Sequence, residues 1–505
     1  MRWSSWAAPC WRGSSSFSSP RGAEKRMLTA IWLLPLAGGL IVMLLPHRFA
    51  KWLGSLVGLG ALGLAVYAAY AFDPAAHGYQ FVERSPWIQQ LGVDYFLGLD
   101  GISVWLVILN ALISLIAILA TPVDMRGAGR FVGLLLVMEA GMAGVFLAVN
   151  LLLFYVFWEA MLIPAYFLLW IWGEGPRPLY AALKFVLFTL SGSLLMLVGV
   201  IGEYVFTGGR TLNLPDLAAH PLDPAVQFGL FFLFAIAFAI KIPAFPMHGW
   251  LPDAYVSAPV PFLVAFAGVM GKTGAYAMLR ILIPLFHHPV LWWDWNQVMP
   301  VLGVLGIIWG ALMALAQRDV KRLVAYSSVS HMGFIVLGIF SLNAIGQQGA
   351  VLQMVNHGVI IPALFLLVAW IEVRTGTRDR AALFGLAPRM PVLAGVFLLV
   401  TLAALGLPGL NSFVGEFMTL LGAWGLSPGL AIAAAIGLVL APIYMLRLFQ
   451  GSMYGERSAP AGLHDLRGRE LALLTPLLAL MFGIGLYPYF LTRVMTSLGV
   501  PLPWS

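Results

Sequence analysis

The sequence singles out eight ionisable side chains inside long apolar runs: Glu139, Glu159, Lys184, Lys241, Lys272, His331, His357 and Glu416. A charged group at mid-bilayer costs roughly 2.5–3.5 kcal/mol on insertion scales, so such residues mark ion or substrate paths by default. Lys184 has a plainer reading as a snorkelling or ion-paired residue, because it stands near the end of its run. The other seven follow one another as acids, lysines, histidines and an acid: Glu139 and Glu159, Lys241 and Lys272, His331 and His357, then Glu416. A buried lysine holds its proton while a carboxylate faces it and gives it up more readily once desolvated without that partner. Arginine would hold its proton throughout. Histidine, which titrates near neutral pH, suits a relay between the two. The chemistry that this order allows is proton movement along a buried row.

Two of these residues flank breaks in the apolar pattern. In "FAIAFAIKIPAFPMHGWLPDAY" (234–255), Lys241 is followed by Pro243 and Pro246, where a helix would be expected to continue. In "LAALGLPGLNSFVGEFM" (402–418), Gly406-Leu407-Pro408-Gly409 precedes Glu416. Breaking a membrane helix frees backbone groups, which is tolerated only inside protein or beside water. Transporters do this at their ion sites, at matching places in two inverted halves.

The elements that must position these groups are membrane spans. Of the residues, 61% are hydrophobic and 10% charged, against about 25% charged in a soluble domain. The chain therefore reads as an all-α polytopic membrane protein. Runs of about 20 apolar residues fall at 28–45, 51–71, 101–120, 130–149, 151–172, 180–206, 225–247, 255–283, 298–317, 321–341, 347–371, 391–419, 427–450 and 470–492, about fourteen spans. The breaks lie in spans 7 and 12, five apart. Two five-span units, spans 4–8 (residues 130–283) and 9–13 (298–451), put them in corresponding positions, and an odd-numbered unit repeated directly comes out inverted. Residues 27–129 hold spans 1–3 and a surface loop, 72–100, expected to lie over the membrane, and residues 470–505 hold span 14.

Loop cations set orientation. On one side stand Arg48, Lys51, Arg126, Arg130, Arg177, Arg318, Lys321, Arg322, Arg374, Arg378, Arg380, Arg389, Arg447, Arg457, Arg467 and Arg469; opposite stand Arg84, Arg210, Arg280 and Arg493. The first side is expected in the cytoplasm and both termini outside, in a bacterial inner membrane. The net charge of +7 is then topological, and no nucleic-acid partner is expected. Residues 1–26, rich in Ser, Arg and Trp, make a poor signal peptide. A mis-called start with Met27 as the true one, or a disordered leader or transit peptide, accounts for them.

Cys10 is the one cysteine, so a thiolate cluster, a disulfide within the chain or a thiolate zinc site is not expected. "GVMGKT" (268–273) imitates the end of a phosphate-binding loop, but the motif needs Gly at the position of Phe266. No redox centre and no nucleotide hydrolysis are expected in this chain.

"KIPAFPMHGWLPDAY" (241–255), "APVPFLVAFAGVMGKTGAYAMLR" (258–280), "QRDVKRLVAYSSVSHMGF" (317–334), "NHGVIIPALF" and "GLPGLNSFVGEF" together resemble the antiporter-like subunits of respiratory NADH–quinone oxidoreductase (complex I), which are related to Mrp-type cation/proton antiporters. The resemblance runs from about Leu28 to the end. Glutamate at 416 is similar to the chain M type, whereas related subunits typically carry lysine there. "PGLN" (408–411) and "VPFLVAFAGVMGK" depart slightly from the family pattern without removing an ionisable group. The resemblance implies that Glu159 pairs with Lys241, that Lys272 is the central lysine, that His331 and His357 bridge, that Glu416 is the terminal exchange site, and that Glu139 is a further acid. It implies proton translocation driven by electron transfer from NADH to quinone. The NADH, FMN, iron–sulfur and quinone sites would lie in partner subunits, with other membrane-arm subunits of complex I alongside. The alternatives are an Mrp-type antiporter subunit, the equivalent subunit of a membrane-bound hydrogenase, and a scaffold whose charges are packing ion pairs.

Overall fold

The computed structural model describes residues 26–76, 78–291, 297–455 and 462–495. The expectation for residues 1–25 lies outside them, as do Arg457 and the last ten residues. Among the described residues, thirteen helices are long and apolar enough to cross a membrane. The chain is a multi-pass membrane protein.

The first half begins with α1 (Met27–Leu44), α2 (His47–Tyr70), α3 (Ser103–Ala120) and α4 (Ala128–Leu147). Next come α5 (Leu151–Ala160), α6 (Leu162–Ile171), α7 (Pro178–Phe206), the short α8 (Leu214–Ala219), α9 (Pro224–Lys241) and α10 (Leu251–Ser257). Span 8 is one column of α11 (Val260–Ala265), a π-turn at Phe266–Met270, α12 (Gly271–Ala277), a second π-turn at Met278–Leu282 and α13 (Ile283–Leu285), followed by the short α14 (His287–Leu291). The second half holds α15 (Val298–Ala316), α16 (Val320–Ile339), α17 (Ala344–Thr375), α18 (Pro391–Ala404), α19 (Asn411–Leu426), α20 (Pro428–Met453), α21 (Gly468–Leu486) and α22 (Tyr489–Met495).

The closest junctions are set by side-chain caps. Asn150 Oδ1 accepts from the Leu152 and Leu153 amides and starts α5. Asp319 Oδ1 does the same for Lys321 and Arg322 at α16. Each cap satisfies amides that the first helical turn leaves unpaired, so two spans can follow each other after only a few residues.

Several sequence expectations change. Span 7 was expected over 225–247 and span 8 over 255–283. Instead α9 stops at Lys241, α10 is a separate short helix, and span 8 starts at Val260 after Pro259. Proline lacks the amide a continuing helix needs and restricts the residue before it, which moves the boundary. Span 12 is absent from the thirteen because its halves, α18 and α19, are each short. Span 5 is itself broken at Met161, between α5 and α6. Pro164 deprives the Ala160 carbonyl of its helical partner there. The loop 72–100 is partly β: β1 (Gln80–Ile88) pairs antiparallel with β2 (Val93–Leu99).

The core runs through the molecule around span 8, which is buried over nearly its whole length. Helices α2, α7, α20 and α21 keep broad apolar faces outward.

Candidate functional site

The first break places Lys241. Helix α9 ends on this residue, whose charge suits the carbonyl-rich end of a helix. The break leaves carbonyls without amide partners, and Trp250 Nε1 donates to one of them, Ile240 O, at 2.9 Å. The Lys241 ammonium is buried, makes no hydrogen bond, and lies 5.1 Å from the centroid of the Trp158 ring. That contact is a cation–π interaction. Trp158 is itself oriented by donating to Ser193 Oγ at 3.1 Å.

Glu159, the residue after Trp158, is half-buried at the end of α5. No ion pair joins it to Lys241, and its Oε1 has no hydrogen-bond partner. The two expected partners are thus near each other without forming a closed pair. Glu139, on α4, is buried with its Oε2 unpartnered, while its carbonyl accepts from Asn110 Nδ2 at 2.9 Å.

Span 8 passes close to the end of α9. A Cβ built on Gly274 would lie 2.9 Å from both Ile242 N and Phe238 O, closer than side chains normally approach, so this crossing needs glycine. Two residues earlier, Lys272 is fully buried. Its Nζ donates to Ala267 O at 2.7 Å. That carbonyl belongs to the first π-turn, whose widened i→i+5 pattern disturbs the regular helical pairing. Lys272 Nζ is also 2.7 Å from His357 Nδ1.

From Lys272 the row continues into the second half. His357 on α17 and His331 on α16 meet edge to face, with ring centroids 5.8 Å apart. His331 Nδ1 is 2.9 Å from Glu416 Oε1. The same oxygen accepts from Gln353 Nε2 at 3.0 Å and from Ser412 Oγ at 3.1 Å. The second break shapes this end: Gly406, at φ +79°, sits so that a Cβ there would stand 3.1 Å from Glu416 Oε2. Asn356 Nδ2 fastens α17 to the break through Asn411 O at 2.7 Å.

Four of the seven expected residues, Lys272, His357, His331 and Glu416, therefore form one buried row. Lys241 lies beside the crossing at Gly274, and no hydrogen bond or ion pair joins Glu159 or Glu139 to the row. Lys184 is ion-paired with Asp253 at 2.7 Å, in keeping with its plainer reading. Two residues counted as loop cations are buried in helices: Arg280 pairs with Asp100, and Lys321 with Glu174. One comes from each side of the count, so the asymmetry stands. Sequence reading passed over Gln353, Asn356 and Glu203. The run Gln353-x-x-Asn356-His357 carries polar groups at i, i+3 and i+4 of an apolar helix, which is a readable one-face signal. Glu203 is buried near the end of α7. Among the described residues no group of three His, Cys, Asp or Glu could hold a metal ion.

The family model described as "NADH:quinone oxidoreductase/Mrp antiporter, TM" matches residues 148–441 of this chain. The chain belongs to that family. The match contains six of the seven proton-exchanging candidates and both helix breaks. A relative from Mycobacterium tuberculosis, named NADH-quinone oxidoreductase subunit M, is 39% identical over 91% of this chain and 91% of its own length. One of the same name from Rhodobacter capsulatus is 39% identical over 93% and 95%. Among solved structures, a chain of respiratory complex I from Thermus thermophilus with bound NADH superposes with a TM-score of 0.86 at 36% identity, covering 94% of this chain and 98% of that one. A chain of the Mrp complex from a Dietzia species gives 0.81 at 26% identity, covering 94% of this chain and 52% of the other.

Proposed function

We propose that this chain is a membrane-arm subunit of an NADH–quinone oxidoreductase and translocates protons, driven by electron transfer in partner subunits. The observation that supports this reading best is the buried row Lys272–His357–His331–Glu416, in which Lys272 reaches His357, the two imidazoles meet edge to face and His331 reaches Glu416.

The row's chemistry follows from donor counting. An ammonium has donors only, so a protonated Lys272 requires His357 Nδ1 to be an acceptor, with the imidazole proton on Nε2. If Lys272 passes its proton to Nδ1, His357 releases one from Nε2 towards His331, and His331 Nδ1 donates to Glu416. Each imidazole takes a proton on one nitrogen and gives one from the other, which carries one proton along the row and leaves both tautomers reversed, so the rings reset before the next proton follows. The His331–His357 gap is of a size that one water molecule bridges. Lys241 supplies Lys272. Closure of Glu159 onto Lys241 holds the proton there, and retreat of Glu159 releases it. Glu416 exchanges with the outside, and Glu139 is an auxiliary acid.

In this reading spans 4–8 and 9–13 are inverted units, the cytoplasmic membrane of a bacterium holds the chain with both termini outside, and other antiporter-like subunits flank it. The NADH, FMN, iron–sulfur and quinone chemistry belongs to the partners.

The test is Glu159→Gln in the assembled complex, in inverted membrane vesicles, reading NADH-driven acidification beside NADH–quinone electron transfer. Loss of both with assembly intact is expected. Normal rates of both would reduce Glu159 to packing and sink the coupling scheme. A defect confined to sodium-dependent proton exchange would favour the Mrp-type reading, which the Dietzia match keeps in view.

A further inference from the structure

Span 8 carries a second polar ladder that leads away from the row. Tyr276 stands one turn beyond Lys272 and Arg280 one turn beyond Tyr276, with the second π-turn around Arg280. Eight residues are about 12 Å of helix, which takes the ladder from the central lysine to the end of span 8 beside the hairpin. All its groups are buried or half-buried. The Tyr276 hydroxyl donates to Phe146 O at 3.0 Å. Arg280 pairs with Asp100 at 2.5 Å, and its guanidinium carbon lies 5.6 Å from the centroid of the Tyr79 ring. Asp100 Oδ1 accepts from the Ile102 and Ser103 amides at 2.7 and 2.9 Å. Tyr79, outside the span, has its phenol pushed up to about 12 by burial.

Such a ladder between a proton-carrying lysine and the surface is a short circuit unless something closes it. We infer that Arg280, held by Asp100 and Tyr79, is a proton seal at the hairpin end of span 8 that turns protons from Lys272 sideways into His357. A guanidinium has five donors and no acceptor and does not deprotonate in proteins. The one carboxylate within reach, Asp100, has one oxygen on two amides and the other on Arg280. The Tyr276 hydroxyl donates to a backbone carbonyl, and its oxygen accepts from Arg280. With the guanidinium in place, its positive charge opposes the arrival of a proton from the Lys272 ammonium at either group. Fixed arginines exclude protons from other pores by the same means. Arg280 is a positioning residue in this scheme, since it exchanges nothing itself.

The seal rests on the proton-translocation reading, and its test is separable because the leak is read with no NADH present. The purified complex is reconstituted in liposomes. A potassium diffusion potential is imposed, and passive proton influx is followed with an internal pH dye. Arg280→Gln leaves Asp100 without its cation and admits water beside Tyr276, so a proton leaving the Lys272 ammonium can pass through that water and the Tyr276 hydroxyl, which takes one proton as it gives one, to the carboxylate and on to the surface. The influx is expected to rise at least roughly tenfold, the factor given by lowering a barrier by about 1.4 kcal/mol. Adding Lys272→Met to that variant removes the leak, and adding Asp100→Asn, which removes the new acceptor, removes it as well. Adding Glu416→Gln leaves it in place, because the outward route bypasses the histidines. If Arg280→Gln does not assemble, Arg280→Lys keeps the ion pair while offering an exchangeable proton, and is expected to leak with the same dependence on Lys272. Tight liposomes from an assembled Arg280 variant would overturn the inference. So would a leak that survives Lys272→Met or Asp100→Asn, since that would be a packing defect.

Discussion

Arginine in place of Lys272 separates a side chain that exchanges its proton from one that merely supplies charge. The pocket is fully buried, and the ammonium sits 2.7 Å from both Ala267 O and His357 Nδ1. Arginine keeps the charge and can donate to both atoms. Its extra bulk costs about 1–3 kcal/mol of packing in a close-packed core, which a large helical complex with intact neighbours tolerates. What changes is proton release. Arginine titrates far above lysine, so in one pocket, with desolvation shared, arginine releases its proton at least about a hundredfold less readily. Lys272→Arg is therefore expected to assemble at near wild-type level and to lose nearly all proton movement through this chain. Lys272→Gln, which lacks the charge, should do the same. The assay is dye quenching in inverted vesicles, with complex content normalised on native gels. Wild-type acidification by the arginine variant would refute the reasoning, because the side chain would then act only as a fixed charge beside His357.

Two further outcomes follow from other parts of the molecule. Gly406→Ala places a methyl group 3.1 Å from Glu416 Oε2 at a backbone φ of +79°. The left-handed conformation alone costs an alanine about 1–2 kcal/mol, so reduced thermal stability of the complex together with slowed acidification is expected, and an unchanged melting temperature would count against the crowding. Glu83 lies outside the spans, on β1, where burial raises its carboxyl above the ordinary value of 4.5 against the bonds from Thr29 and Leu28. A raised folded-state pKa means the stabilising contribution is present below pH 4.5 and fades as pH rises through the shifted value. Glu83→Gln should flatten that part of the stability–pH curve, as measured by thermal unfolding across the acid range; a curve unchanged in slope would show that the desolvation is not felt.

Much of the site was legible because charge in an apolar run is expensive and therefore conspicuous. Lys272, His331, His357 and Glu416 stood out by type alone, and the structure brings them into one row. The two breaks were legible because proline and paired glycines cannot continue a helix. What stayed hidden was geometry that several residue patterns satisfy. Nothing in "FAGVM" or "MLRIL" announces a π-turn, since the same residues fit a regular helix. The break after Glu159 depends on a single proline, and one proline in an apolar run reads equally well as a mild kink. Arg280 was misplaced into a loop because its partner Asp100 lies 180 residues earlier, and sequence order gives no sign that the hairpin folds back onto span 8. Gln353 and Asn356 were passed over because amides are cheap enough in a helix to look incidental.

The enclosure of span 8 has a consequence for how the protein is made. A chain is synthesised from its N-terminus at about 5–20 residues per second. Leu285 therefore leaves the ribosome roughly 5–18 s before Thr375, the end of the helix that carries His357. For that interval the covering half of the molecule does not exist. Arg280 finds Asp100 already made and can be neutralised at once, whereas Lys272 must wait for a histidine that has yet to be translated. The nascent chain thus holds a cation whose one partner is the Ala267 carbonyl of its own helix, and insertion of the second half is what brings it the histidine.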